Sequence, residues 1–504
     1  MKTSQRASLV AVIAMAVWVV IGARLVWLQV VKAGHFRHLA QRQHQFRVGL
    51  MPERGTIFDR QGRPLTFSVN GRRSYPYGTA AAQTLGVVGR DGRGLEGLEL
   101  LYDDLLRGQA GWTIRQLDAR GRSHPSAEYP RRPAQSGGSV ILTIDADYQS
   151  IVQQELERGA AKHQALSALA IVTDPATGEI LAVACYPPVQ PDRFAESEQA
   201  DLVNKAISEQ FEPGSTFKAV TMAAAIEEGT VAPEDILDGE DGSYSVGGHN
   251  LGEAEGHRYG RITVGQALAY SSNICLVKIG ERLGREKLYQ YARAFGFGCK
   301  TGIEFPGEAA GVLTKPSGWS LIQSANISFG QGLSVTGMQL AAAYGAIANG
   351  GYLLRPRLVR ALEDPAGGVY HGNKTDTLRR VISKETSLKL TEMLSRAVND
   401  SLGTGRSARI EGWNVAGKTG TGQRKVAGQR GYAAGRYTAS FVGFMPSESP
   451  RLLAVVVVNE PKGGHYGGRV AAPICRNIFK RAISLPRGVA PELLASGKPA
   501  DEAF

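Results

Sequence analysis

A chain of 504 residues with 43% hydrophobic and 21% charged side chains has room for two or three domains, and its composition excludes wholesale disorder. The net charge of +12 is uneven, since residues 32–132 hold 17 basic against 9 acidic side chains, two thirds of the excess. A basic segment of this kind can meet nucleic acid, an anionic membrane or an anionic polymer, and charge alone does not choose among them.

Fifteen apolar or small residues run unbroken from Leu9 to Ala23, Arg24 interrupts, and the apolar pattern resumes to Val31. Residues 8–31 are long enough to cross a bilayer, with Arg24 snorkelling to one interface. No small-x-small site follows cleanly, so the span reads as an uncleaved anchor behind a short tail, 1–7. Orientation stays open on these grounds. Lys2 and Arg6 precede the span, whereas Lys32, Arg37, Arg42 and Arg47 follow it, and a positive-inside count would leave the bulk of the chain in the cytoplasm.

Residues 32–138 are polar, basic and rich in Gly and Pro, with strand-like pieces such as 54–59. The Gly137-Gly138 pair opens a different texture. A strand is expected at 140–144, an amphipathic helix at 147–163 and a buried strand at 168–173. Turn chemistry at 174–178 leads into a second hairpin arm, 179–185. Helical periodicity follows at 216–228, 263–270, 274–283, 336–349 and 384–399. Strands return at 413–421, 437–445 and 452–458, a helix at 471–483 closes the domain, and the tail after it reads as disordered. Strands at both ends with helices between them predict an α+β domain: one antiparallel sheet with helices packed on its faces.

Four cysteines (Cys185, Cys275, Cys299, Cys475) form no C-x-x-C pair and read as buried free thiols, and none of the nine histidines lies in an H-E-x-x-H arrangement. Metal catalysis has no foothold here, and no cofactor is expected.

The chemistry concentrates at Glu212-Pro213-Gly214-Ser215-Thr216-Phe217-Lys218, the chain's only Ser-x-x-Lys. A Pro-Gly turn places Ser215 at a helix amino terminus, where free N–H groups favour a developing anion. Lys218 lies one turn on, on the same face. Its amine can act as a base if burial or another cation lowers its pKa. The bland alternative is an N-cap serine beside a solvated lysine. Lys-Thr-Gly occurs at 300–302 and 418–420. The first copy lies between Gly- and Pro-rich turns and reads as a loop. The second reads as a strand whose small residues permit close backbone approach, which favours Lys418. Ser-x-Asn occurs at 68–70, 271–273 and 324–326. Ser271 and Asn273 sit at a break between helices, and Ser324 with Asn326 remains open on physical grounds.

The ordered set Ser215-x-x-Lys218, Ser271-x-Asn273 and Lys418-Thr419-Gly420 resembles the transpeptidase domain of class B penicillin-binding proteins. Arg54-Gly-Thr-Ile-Phe-Asp59, Gly94-Leu-Glu-Gly-Leu-Glu99, Phe329-Gly-Gln-Gly332 and Tyr466-Gly-Gly with Ala471-Ala-Pro473 are similar to that class as well. The resemblance covers about residues 8–485. It implies an antiparallel-sheet fold like that of serine β-lactamases at 139–485, a transmembrane helix at 8–31, and between them an elongated pedestal of dimerisation-domain type at 32–138 with an abbreviated head. Residues 32–138 are too few for a glycosyltransferase domain, which argues against class A.

The resemblance further implies Ser215 as nucleophile, Lys218 as base, Ser271 as proton relay and Asn273 as the residue orienting Lys218. Lys418 would depress the pKa of Lys218 and attract the substrate carboxylate, with Thr419, Gly420 and Thr421 as the binding strand. Backbone N–H groups of Ser215 and Thr421 would form the oxyanion hole. The implied partners are stem peptides ending in D-alanyl-D-alanine, β-lactams, the cytoplasmic membrane, and a polytopic glycosyltransferase of the shape, elongation, division and sporulation family with other division proteins. Nucleic acid is not among them. The catalytic domain would lie outside the membrane, where its substrate is. Asn459-Glu-Pro-Lys462 followed by Tyr466-Gly-Gly468 favours a division role. The alternatives are an elongation or specialised homologue, or a protein that chiefly holds and activates a glycosyltransferase.

Overall fold

The computed structural model describes residues 3–117, 122–125, 130–370, 374–424, 431–433 and 435–486; nearly all of the expected disordered tail, 487–504, lies outside them. The chain divides into two compact units, one of Met1–Glu53 with Gly108–Ser136 and one of Arg54–Arg107 with Gly137–Phe504.

In the first unit the apolar run forms helix α1 (Thr3–Val26), extended by a π-helical turn, Trp27–Val31. The span of 29 residues contains an 18-residue window of mean hydropathy 2.5, none of it buried within the protein, so it is long and apolar enough to cross a membrane. At its polar end the Arg24 guanidinium lies 4.4 Å and the Lys32 ammonium 5.3 Å from the Trp27 ring. A further helix, Ala33–His44, leads into a small antiparallel sheet, in which strand Gln45–Leu50 pairs with Gly111–Leu117. The latter strand pairs on with Ser123–Pro125 and Arg131–Arg132.

The second unit is organised by a sheet that alternation makes two-sided. Its labelled elements in chain order are α2 (Ala146–Lys162), β1 (Ser167–Thr173), β2 (Ile180–Tyr186), α3 (Lys218–Glu227), α4 (Asn273–Leu283), α5 (Gly337–Ala348), α6 (Lys384–Asn399), β3 (Ala416–Gln423), β4 (Tyr437–Met445), β5 (Leu452–Asn459) and α7 (Gly467–Ile483). The strands lie in the order β2-β1-β5-β4-β3, every neighbouring pair antiparallel, with β3 at one edge. Successive side chains of β5 point to opposite faces. Leu453, Val455 and Val457 join the core built with α3, α4, α5 and α6, while Leu452, Ala454, Val456 and Val458 join a second core with α2 and α7. Each such buried Val or Leu contributes about 1.5–3 kcal/mol. This is the expected α+β architecture.

Boundaries moved where local geometry intervenes. The helix expected from 216 begins at Lys218, because Gly214 adopts φ +52° and a 3-10 turn, Gly214–Thr216, comes first. The strand expected from 413 begins at Ala416, where pairing with Phe444 starts. The closing helix starts four residues early, at Gly467, and runs through Pro473. Helices Arg285–Ala294 and Leu321–Ser328 escaped the sequence reading: the first is mostly charged or polar and buries fully only Leu288 and Ala292. Three cysteines are buried, Cys299 is half-buried, and all four are free.

These contact units are cut differently from the pedestal and transpeptidase ranges expected at 32–138 and 139–485. Residues 54–107 contribute three strands to a second five-stranded sheet of the second unit, in the order Val359–Glu363, Ser139–Leu142, Ile57–Phe58, Pro64–Val69, Arg72–Ser74. The reason is close packing and buried charge. A Cβ on Gly55 would lie 1.6 Å from the Gly138 carbonyl oxygen, so only glycine fits. Arg54 Nε donates to Glu99 Oε2 at 2.6 Å, Arg54 Nη1 to Asp103 Oδ1 at 2.6 Å, and Arg73 Nε to Glu99 Oε1 at 2.7 Å. Asp59, fully buried, accepts from the backbone N–H groups of Gln61, Arg63 and Ala146, the last at the start of α2. Two of the motifs that carried the resemblance are therefore the buried polar joint of this unit.

Removing one partner of a buried charge cluster leaves the others uncompensated. Glu99→Ala, which takes the carboxylate from Arg73 and leaves Arg54 with Asp103 alone, is expected to destabilise the second unit by about 3–5 kcal/mol, read as a lowered midpoint in denaturant-induced unfolding.

Candidate active site

The turn Glu212–Thr216 reaches its place because β3 alternates glycine with larger residues. A Cβ on Gly420 would meet Ser440 Oγ at 2.4 Å and the Pro213 carbonyl oxygen at 2.7 Å, and one on Gly422 would meet the Glu212 carbonyl oxygen at 2.4 Å. From the other side, a Cβ on Gly214 would lie 2.5 Å from the Thr421 carbonyl oxygen. The small residues of β3 thus admit the chain's own Ser215-bearing turn.

Lys218 opens α3, completely buried, with its ammonium held by three acceptors: the Ser271 carbonyl oxygen at 2.6 Å, Ser271 Oγ at 3.1 Å and Asn273 Oδ1 at 2.7 Å. Ser271 takes φ +64°, rare for a residue with a Cβ, which turns it out of the preceding helix, Val264–Ala269, before α4 begins. The two decoys separate cleanly. Ser324 and Asn326 lie within the helix Leu321–Ser328 and make none of these contacts. Thr301 of the other Lys-Thr-Gly copy donates through N and Oγ1 to Glu308 at 2.6 and 2.5 Å, which ties down a loop.

Lys418 is also fully buried on β3, with Nζ 3.5 Å from Thr404 Oγ1 and 3.4 Å from the Thr419 carbonyl oxygen; Thr419 Oγ1 donates to Thr404 Oγ1 at 2.9 Å. Thr421 Oγ1 accepts from the Gly467 N–H at 3.3 Å. A cleft of 710 Å³ opens over these elements, lined among others by Ser215, Ser271, Asn273, Thr419, Gly420 and Thr421. All eight residues singled out from the sequence converge here, six on the cleft wall and the two lysines directly beneath it.

Burial is the largest influence on both amines. It pushes the Lys218 ammonium down to about 7 against the opposing pull of Glu253 and Cys275. Lys418 falls well below its ordinary value through burial and then through the charge of Lys218. The two ammonium charges repel each other, and among the described residues Lys218 has an amide oxygen, Asn273 Oδ1, where Lys418 has a threonine hydroxyl and a backbone carbonyl. Two residues were missed. Glu253 accepts from Ser272 Oγ at 2.5 Å and from the Asn273 N–H at 2.6 Å, and Thr404 bridges Lys418 to Thr419. Neither belongs to a motif with a fixed spacing from the nucleophile. Among the described residues no cluster could hold a metal ion.

The penicillin binding protein transpeptidase domain matches residues 168–480, and the penicillin-binding protein dimerisation domain matches residues 65–142. The chain belongs to the penicillin-binding protein transpeptidase family. Among its relatives, stage V sporulation protein D of Bacillus subtilis is 37% identical over 82% of this chain and 64% of its own length. The probable peptidoglycan D,D-transpeptidase PenA of Neisseria gonorrhoeae is 32% identical over 83% of this chain and 69% of its own. The chain thus spans about two thirds of the length of these relatives. Penicillin binding protein 3 of Mycobacterium tuberculosis is similar in structure, with a TM-score of 0.76 and 33% identity over 86% of this chain and 95% of the other. That protein has been crystallised with aztreonam and with ampicillin.

The geometry of the turn is testable in this penicillin-binding domain. Gly420→Ala pushes β3 away from the Ser215 turn, and misplacement by about 1 Å lowers a rate by about a hundredfold. Stopped-flow acylation by a fluorescent penicillin is expected to show that loss while the melting temperature changes little.

Proposed function

We propose that this chain is a membrane-anchored, serine-type D,D-transpeptidase of class B that cross-links peptidoglycan stem peptides and is a β-lactam target. The observation that carries the reading is the buried Lys218 amine, held between Ser271 and Asn273 immediately after the Ser215 turn.

Ser215 Oγ attacks the carbonyl of the penultimate D-alanine while its proton passes to the Lys218 amine. The carbonyl oxygen becomes an oxyanion facing the N–H groups of Ser215 and Thr421, a type of donor worth about 3 kcal/mol each. As the intermediate collapses, the C–N bond breaks and Ser271 relays a proton to the departing amine of the terminal D-alanine. The acyl group stays on Ser215 until the amine of a neighbouring stem attacks it, which forms the new amide and frees the serine. The terminal carboxylate of the donor stem is held by Thr419, Gly420 and Thr421 on the edge strand β3. Its negative charge returns a proton to Lys418, so the anion and this buried amine stabilise each other. A β-lactam enters the same path, with its ring amide in place of the D-alanyl-D-alanine bond.

The apolar span of α1 supports a single-pass anchor in the cytoplasmic membrane, and a wall substrate puts the catalytic unit outside. A role in septal wall synthesis is the reading favoured by the resemblance of the Asn459-Glu-Pro-Lys462 and Tyr466-Gly-Gly468 pattern to division or sporulation members, and the likeness to a relative named as a sporulation protein supports it. A polytopic glycosyltransferase is the partner this placement implies. Were holding that enzyme its chief role, Ser215→Ala would still support glycan polymerisation at the wild-type rate while cross-linking vanished.

Intact mass after incubation with benzylpenicillin is expected to show one added drug mass in the wild-type protein and none in Ser215→Ala. An adduct retained in the mutant would remove Ser215 as nucleophile. The base form of Lys218 is the working form. Acylation should therefore fall about tenfold per pH unit below about 7 and level off above it, measured as the second-order rate constant between pH 5 and 9.

A further inference from the structure

Asn273 is gripped at both ends by one short segment of the cleft wall. Its side-chain Nδ2 donates to the Gly252 carbonyl oxygen at 3.0 Å, which turns Oδ1 toward Lys218. Its backbone N–H donates to Glu253 Oε2 at 2.6 Å. The same carboxylate accepts from Ser272 Oγ at 2.5 Å and from the Ile274 N–H at 3.4 Å, so it sits over the open N–H groups at the start of α4. Ser272, fully buried, completes the cap by accepting from the Cys275 N–H at 3.1 Å. Glu253 itself is half-buried and lines the cleft, reached through the hairpin Ser243–Val246 and His249–Gly252.

We infer that Glu253 is a positioning residue for the acylation step: its carboxylate fixes Asn273 and keeps a negative charge beside the Lys218 amine. This rests on the proposed role of Lys218 as base. The ionisable groups that face Lys218 are Glu253 on the hairpin side, Cys275 on α4 and Lys418 on β3. Glu253 is the carboxylate among them, and it favours the ammonium against burial. A site with two buried lysines otherwise drives its base so low that it accepts the serine proton weakly. Glu253 therefore sets both where Asn273 points and the pH at which Lys218 becomes a base. Nothing in the Ser-x-Asn pattern marks it, since it comes from a different element.

The test is the pH profile of acylation by a fluorescent penicillin, on the full chain in detergent, for wild type, Glu253→Gln and Glu253→Asp, with thermal unfolding run alongside. Glutamine keeps an acceptor for the Asn273 N–H and removes only the charge. Its acid limb is expected to move down by about one pH unit, the size of one nearby opposite charge. Aspartate keeps the charge on a shorter arm, so its limb stays with wild type while its plateau falls. A Glu253→Gln profile with a lowered plateau and an unmoved limb would show a purely structural cap and overturn the inference. So would an aspartate limb displaced as far as that of glutamine. Wild-type protein that takes no drug at Ser215 would instead overturn the proposed function, and the inference with it.

Discussion

Burying two lysine amines in one site is the constraint on which the rest of this structure depends. Each would be an unpaired charge in a poorly solvated place, and such groups release their protons unless something holds them. Lys218 is held by a serine carbonyl, a serine hydroxyl and an amide oxygen. Among the described residues Lys418 has a threonine hydroxyl and a backbone carbonyl at longer range. Burial lowers both amines, Lys218 to about 7 and Lys418 well below its ordinary value, where the charge of Lys218 adds to it. Neither condition survives if solvent reaches the amines. The two cores flanking the sheet and the closely packed turn over β3 therefore belong to the chemistry as much as to stability.

That closeness is obtained with glycine on both sides of the seam. Gly214 contributes positive φ, and Gly420 with Gly422 contributes the absence of a Cβ. The entropic cost of glycine in a strand, about 0.5–1 kcal/mol each, is offset because the neighbouring strand β4 pairs along the whole length of β3. A rigid partner strand permits a weak strand to be precise, and an edge position leaves its outer face to the cleft.

Most of the site was legible because its chemistry is local in sequence. Ser215 and Lys218 share one helical turn, Ser271 and Asn273 one helix break, and Lys418 to Thr421 one strand. The family resemblance then selected among copies that composition could not separate, such as Ser271 against Ser324 and Lys418 against Lys300. The central sheet was legible for a related reason: β5 is an uninterrupted run of apolar residues, and only a strand covered on both faces tolerates that. What escaped was non-local. Glu253 reaches Asn273 and Ser272, and Thr404 reaches Lys418, from loops with no periodic pattern. The helix Arg285–Ala294 has too few apolar residues to announce itself. The acceptors that distinguish the two lysines follow no sequence spacing. The packing of residues 54–107 within the second unit was hidden likewise, because Arg54, Arg73 and Glu99 look like surface charge until the fold brings them together.

The buried cluster at Arg54 and the buried lysines at the cleft solve the same problem in opposite ways. In the cluster every charge meets a counter-charge: two carboxylates satisfy two guanidinium groups, and little remains to be titrated or attracted. Such a site specifies an arrangement and does no more. At the cleft the opposite charge is rationed, with Glu253 held back behind Asn273 and Ser272 and, among the described residues, no carboxylate hydrogen-bonded to either lysine. A closer carboxylate would neutralise the amines and fix their protons, which would stabilise the fold and abolish the base. The distance at which Glu253 is kept, one residue removed from contact with Lys218, is where a structural ion pair stops and a working acid–base site begins.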